Sequence, residues 1–146
     1  MMKTARIAFF CFLLTLFTSC TQNDNNGNDS DCTDIACTEI FVTINVTVKD
    51  ASGVVIPLDD FKVLNVSTNE DLTRELSASS FEMASQNGIY PLFGDEYAAR
   101  FQNESLDIIF IGFIEGEEIV NAKFKVGADC CHVQLMEGDT DIVIGQ

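Results

Sequence analysis

Ile40, Val42, Ile44, Val46 and Val48 alternate with Phe41, Thr43, Asn45, Thr47 and Lys49. A strict period of two is that of a strand with one buried face, because successive side chains leave the pleat on opposite sides. Such a strand cannot cover its apolar face alone, so the chain must supply a second layer. Asp50-Ala51-Ser52-Gly53 is a turn sequence that ends the run. Pro57, without an N–H, keeps Val54-Val55-Ile56 at an edge or in a loop, and Phe61 to Val66 predicts a second strand.

Further on, Thr68-Asn69-Glu70-Asp71 reads as a turn and Leu72 to Leu76 as a short strand, while Ser77 to Gln86 is rich in small residues and weakly patterned. Asn87-Gly88 breaks the chain before Ile89-Tyr90-Pro91-Leu92. Leu106 to Ile114 is apolar at nearly every position, which predicts a strand covered on both faces. Val120, Ala122, Phe124 and Val126 mark the inward face of the next strand; His132 to Met136, a Glu137-Gly138-Asp139 turn and Thr140 to Ile144 complete the pattern. The expectation is an all-β domain, an antiparallel β-sandwich of about seven strands with no helix in the mature domain.

The domain does not begin at the first residue. Lys3 and Arg6 precede an apolar run from Ile7 to Phe17, the charge and hydropathy order of an export signal. That run is too short for a bilayer span, which takes roughly 20 residues. It ends in Leu16-Phe17-Thr18-Ser19-Cys20, which resembles the lipobox of bacterial lipoproteins. The resemblance implies removal of residues 1–19 and acylation of Cys20, and multiple acyl chains anchor firmly at roughly 0.8 kcal/mol per buried methylene. Thr21 to Asp31 has no apolar residue to offset the entropy of ordering it, so residues 20–31 read as a flexible tether and 32–146 as the domain. The acidic stretch behind Cys20 is also similar to the surface-export signal of Bacteroidota lipoproteins. Asp24, Asn26 and Asn28 do not make a calcium loop, because Asp29 stands where that loop needs glycine and no glutamate closes it.

The full chain has a formal charge of −15, and without Lys3 and Arg6 six cations face 23 carboxylates, a net −17. Such a field repels nucleic acid and anionic lipid. Cys11 leaves with the signal, so Cys32, Cys37, Cys130 and Cys131 remain, an even number in an exported chain and hence first a set of disulfides. Neighbouring side chains of an extended segment point apart, so Cys130 and Cys131 each pair with Cys32 or Cys37, while a local Cys32–Cys37 bond stays open. The sharper reading makes Cys32, Cys37, Cys130, Cys131 and His132, with Asp129 nearby, ligands for zinc.

His132 is the only histidine, and no nucleophile motif accompanies it. Acidic pairs at Asp59-Asp60, Glu70-Asp71, Asp95-Glu96 and Glu117-Glu118, with Asp139 and Asp141, can hold calcium or do acid–base work, but fall in turns where solvated charge belongs. Tyr90, Phe93, Tyr97 and Phe101 are core before they are a binding surface.

Val46 to Leu58, with Gly88-Ile89-Tyr90 later, resembles the opening of carboxypeptidase-regulatory-like domains. That resemblance implies a transthyretin-like sandwich, immunoglobulin-like in its layering, and an accessory or binding role without catalytic residues. Cys32-x4-Cys37 and Val126 to Val133 are also similar to small flavobacterial lipoproteins. The resulting expectation is a lipid-anchored cell-envelope module of the outer membrane, periplasm-facing or surface-exposed. It binds a protein or glycan partner, needs no cofactor and catalyses nothing. The rival is a metal-binding protein or metal-dependent enzyme using Cys130, Cys131 and His132.

Overall fold

A computed structural model describes residues 32–145. The export signal, Cys20 and the tether lie outside the described residues. The elements are β1 (Thr43–Asp50), β2 (Asp60–Asn65), α1 (Ala78–Asn87), β3 (Ile89–Gly94), a 3-10 turn (Asp95–Tyr97), β4 (Ser105–Ile114), β5 (Glu117–Ala128), β6 (Val133–Glu137) and β7 (Asp141–Ile144). They form an all-β sandwich whose sheets run β3-β1-β7 and β2-β4-β5-β6.

Alternation in β1 places its apolar set as the sequence predicts. Val46 and Val48 are wholly buried and Ile44 packs beside them, although Ile40 lies ahead of the strand and is exposed. The core between the sheets contains an aromatic cluster among aliphatic side chains: Phe61 of β2 sits 5.5 Å from Tyr90 of β3 and 5.7 Å from Phe110 of β4, ring centre to ring centre. The Tyr90 hydroxyl accepts from Leu58 N–H at 2.6 Å, so the ring is buried without stranding its polar end.

Four expectations are corrected. The sheets are not wholly antiparallel, because β7 runs parallel to β1. The Gly138-Asp139-Thr140 connection carries the chain across to the other sheet, where Thr47 N–H donates to Thr140 O at 2.7 Å. Strand β4 is covered on one side only: Leu106, Ile108, Phe110 and Gly112 are buried, whereas Asp107 is exposed and Ile109, Ile111 and Phe113 are half-buried on the outer face. Leu72–Leu76 is not a strand; an isolated bridge from Asp71 to Leu64 is all that pairs there.

The domain also contains a helix. Ser77 caps α1 by accepting from Ser80 N–H at 3.1 Å, and Gly88 ends it at φ 62°. A side chain at Gly88 would also meet Val55 Cγ1 at 2.7 Å and Val48 O at 2.8 Å, so only glycine closes the helix here. Phe81 stacks on Phe61 and Ser85 Oγ donates to Leu58 O at 3.2 Å, which docks α1 on the edge strands. No residue of α1 is fully buried, so its hydrophobic pattern is faint and the two caps carry the information.

Candidate functional site

The segment ahead of β1, residues 32–42, has no regular structure and is strapped across the end of the sandwich by covalent bonds. Cys32 pairs with Cys130 and Cys37 with Cys131. This settles the pairing that the spacing left open, in favour of the crossed alternative. Both cysteines of the β5–β6 connection therefore hold the strap.

Asp129 folds that connection. One of its oxygens accepts from Cys131 N–H at 2.7 Å and His132 N–H at 2.8 Å, and the other from Gln134 Nε2 at 2.6 Å. The His132 and Cys131 N–H groups, with Gln134 adding to them, hold its carboxyl below the ordinary value.

Beside it stands Asp95, whose side chain is 10% exposed. Its Oδ1 accepts from Val133 N–H at 2.9 Å, and its Oδ2 from Val42 N–H at 2.7 Å and the His132 ring at 2.8 Å. Burial is the largest single influence on this carboxyl and pushes it up, but Val42, His132 and Val133 together bring it below its ordinary value. An ionised carboxylate only accepts, which assigns a proton to Nδ1 of His132. In the neutral ring Nε2 then accepts from the Thr38 hydroxyl, 2.9 Å away.

Hydroxyl, imidazole and carboxylate in that order is the arrangement that activates a nucleophile. Here it joins three pieces of backbone: the strap through Thr38 and Val42, the 3-10 turn through Asp95, and β6 through His132 and Val133. Thr38, Asp95 and His132 line none of three concavities described for the molecule, although the neighbouring Asp129 and Gln134 line one of about 320 Å³. The arrangement is a clasp at the end of the sandwich that ties the strap to the 3-10 turn and β6.

Elsewhere lies an open groove of about 540 Å³ between α1 and the outer face of β1 and β3. Thr43, Asn45, Ser77, Ser80 and Asn87 give it hydroxyls and amides, Arg74 and Glu75 give it charge, and Ile89, Pro91 and Met83 give it an apolar floor. Arg74 is held at the mouth: its guanidinium lies 5.2 Å from the centre of the exposed Phe41 ring and donates to Thr43 Oγ1 at 3.1 Å. No family model matches this chain, and neither a curated protein nor a solved structure matches it.

The residues singled out in sequence are thus distributed by the fold. Cys130 and Cys131 have their sulfurs in disulfides, His132 has both nitrogens engaged, and Asp129 turns the backbone; among the described residues no cluster of three or more His, Cys, Asp or Glu is disposed to hold a metal. The acidic pairs are dispersed: Glu70 grips Arg100 through both oxygens at 2.7 Å, Asp59 accepts from Glu115 N–H, and Asp141 pairs with Lys49 at 2.9 Å. Tyr90, Phe93 and Phe101 are buried and Tyr97 packs against them. Sequence reasoning missed two things. The partnership of Asp95 with His132 spans 37 positions and has no local signal. The groove had one, the Ser77 cap and the Gly88 stop of the helix that forms its wall.

Proposed function

We propose that the chain is a lipid-anchored envelope or surface module that binds a partner and catalyses no reaction. The observation that carries the reading is the groove between α1 and the β1–β3 face, since its walls combine hydroxyl, amide and charged groups over an apolar floor, as recognition sites do. The export-signal pattern and the Leu16 to Cys20 lipobox support the anchor, and the resemblance of Val46 to Leu58 to carboxypeptidase-regulatory-like domains supports an accessory role. Two bonds tying residues 32 and 37 to residues 130 and 131 give an extracellular module rigidity without a cofactor. The metal reading of Cys130, Cys131 and His132 would require sulfurs and nitrogens that are already committed, and no observation favours it.

Two measurements test the proposal. Radiolabelled palmitate should enter the wild-type chain and not Cys20→Ser. Saturation-transfer NMR against a set of neutral oligosaccharides and short peptides should find binders that Asn45→Trp, which fills the groove, abolishes. Label retained by Cys20→Ser, or a hydrolytic activity that disappears in His132→Gln, would overturn it.

A further inference from the structure

The strap that opens the described chain, residues 32–42, carries three exposed apolar side chains: Ile40 is 70% exposed, Phe41 55% and Ile35 51%. A single exposed apolar residue needs no explanation, but three within seven positions of a segment without regular structure do. A loose segment would turn such groups inward, away from water. This one is fixed on both sides of each group. Ile35 lies between Cys32 and Cys37, which are bonded to Cys130 and Cys131. Ile40 and Phe41 lie between Thr38, 2.9 Å from the His132 ring, and Val42, whose N–H donates to Asp95 at 2.7 Å. The disulfides and the clasp therefore hold the apolar groups out at the end of the sandwich.

That end is also the one by which the chain enters the domain from Cys20. Twelve steps separate Cys20 from Cys32, a span of no more than about 43 Å at full extension. Strands β1 and β4 run away from the strap, from Thr43 and from Ser105, which pairs with Gly127 just ahead of Cys130. The Asp50 to Gly53 and Glu115-Gly116 turns thus lie at the opposite end.

We propose that the strap rests on the bilayer that holds the acyl chains of Cys20, with Ile35, Ile40 and Phe41 in the interfacial layer and the sandwich standing on end. The proposal rests on the lipid-anchor reading of Cys20. A short link makes the contact intramolecular, at an effective concentration on the order of millimolar. Three side chains too few to hold an unanchored protein on a membrane are enough on those terms. Charge sets the lipid: Asp34 and Glu39 stand beside Ile35 and Ile40, so the surface that fits is zwitterionic, and an anionic bilayer is repelled by them and by the net charge of the chain. The same carboxylates keep the strap at headgroup depth, because burying them unpaired is costly.

The test uses the whole mature chain, purified with its N-terminal lipid, in phosphatidylcholine nanodiscs doped with a lipid that carries a nitroxide on its headgroup. Paramagnetic broadening of amide signals should be strongest at Ile35, Ile40 and Phe41 and weakest at Ser52, Gly53 and Gly116. In Ile40→Ser with Phe41→Ser the ratio of docked to free domain, read from the excess broadening at Ile35, should fall about tenfold or more. Val54→Ser with Met83→Ser, which removes apolar groups 60% and 61% exposed elsewhere, should leave that ratio unchanged. Circular dichroism checks that both variants fold. Replacing part of the lipid by phosphatidylglycerol should weaken the docking, and added salt should restore it. Intact mass is measured first: a Cys20 without acyl chains would overturn the anchor reading and this proposal with it. With the acyl chains present, uniform broadening, a maximum at another surface, equal loss in the two variants, or stronger docking on phosphatidylglycerol would overturn this proposal alone. So would a concentration-dependent dimer of the unacylated Cys20→Ser chain that Ile40→Ser with Phe41→Ser abolishes, since the strap would then meet a second copy.

Discussion

Removing the two disulfides separately and together should give strongly non-additive losses. Cys32–Cys130 closes a loop of 98 residues and Cys37–Cys131 one of 94. In the chain-entropy account either bond alone restricts the unfolded chain by about 4.7 kcal/mol. Once one is made, the second closes only a small ring, five steps from Cys32 to Cys37 and one from Cys130 to Cys131. A ring of about eight residues contributes roughly 2.5 kcal/mol. Alanine at Cys37 and Cys131, or at Cys32 and Cys130, should therefore cost about 2.5 kcal/mol, whereas alanine at all four should cost roughly 7 kcal/mol. The larger figure rivals the whole stability of an ordinary domain, about 5–15 kcal/mol, so the four-alanine chain should be marginal or unfolded. Urea denaturation of the four proteins is the assay, with the slope expected to rise as the unfolded state loses its cross-links and exposes more surface. A four-alanine chain no less stable than either two-alanine chain, or a two-alanine chain that loses close to 5 kcal/mol, would refute the reasoning.

The Asp95 clasp gives a second prediction. In Asp95→Asn an amide NH₂ faces backbone N–H donors whichever way it is turned, so a loss of about 2–3 kcal/mol in urea melts is expected. Because the folded-state pKa of Asp95 lies below its ordinary 3.8, the unfolded chain binds the proton more readily. Its contribution is thus present above pH 3.8 and lost as pH falls through the folded value. The acid limb of stability against pH should accordingly be shallower in Asp95→Asn than in the wild type. Gly88→Ala should cost more than about 2 kcal/mol in thermal melts, since it combines a left-handed backbone with contacts on Val55 and Val48. Phe110→Ala should cost about 3–5 kcal/mol in the same assay, because its ring is fully buried and packs on Phe61 and Tyr90.

Much of the architecture is written locally. Alternation from Val42 to Val48, the Asp50 to Gly53 turn and the apolar faces of β4 and β5 are short-range patterns, and each appears where the sequence puts it. The turn even shows its mechanism, with the Asp50 carboxylate accepting from Ser52 and Val54 N–H at 2.8 and 2.9 Å. Helix α1 escaped the sequence reading, because its faint apolar face gains meaning only when Phe81 meets Phe61. The outer face of β4 misled for a related reason: a run of isoleucines states hydrophobicity but not whether a second layer arrives to cover it.

Sequence alone therefore determined the strand periodicity, the sandwich class, the surplus of carboxylates and the even set of domain cysteines. Tertiary structure alone decided which cysteines pair, that β7 lies parallel beside β1, and that Asp95 receives the only histidine. The division follows the range of the forces involved. Side-chain alternation and turn chemistry act within a few residues, and so leave a mark on neighbouring letters. The pairings join positions 37 to 98 apart, brought together by burying the apolar faces of two sheets rather than by any recognition between the paired residues in sequence.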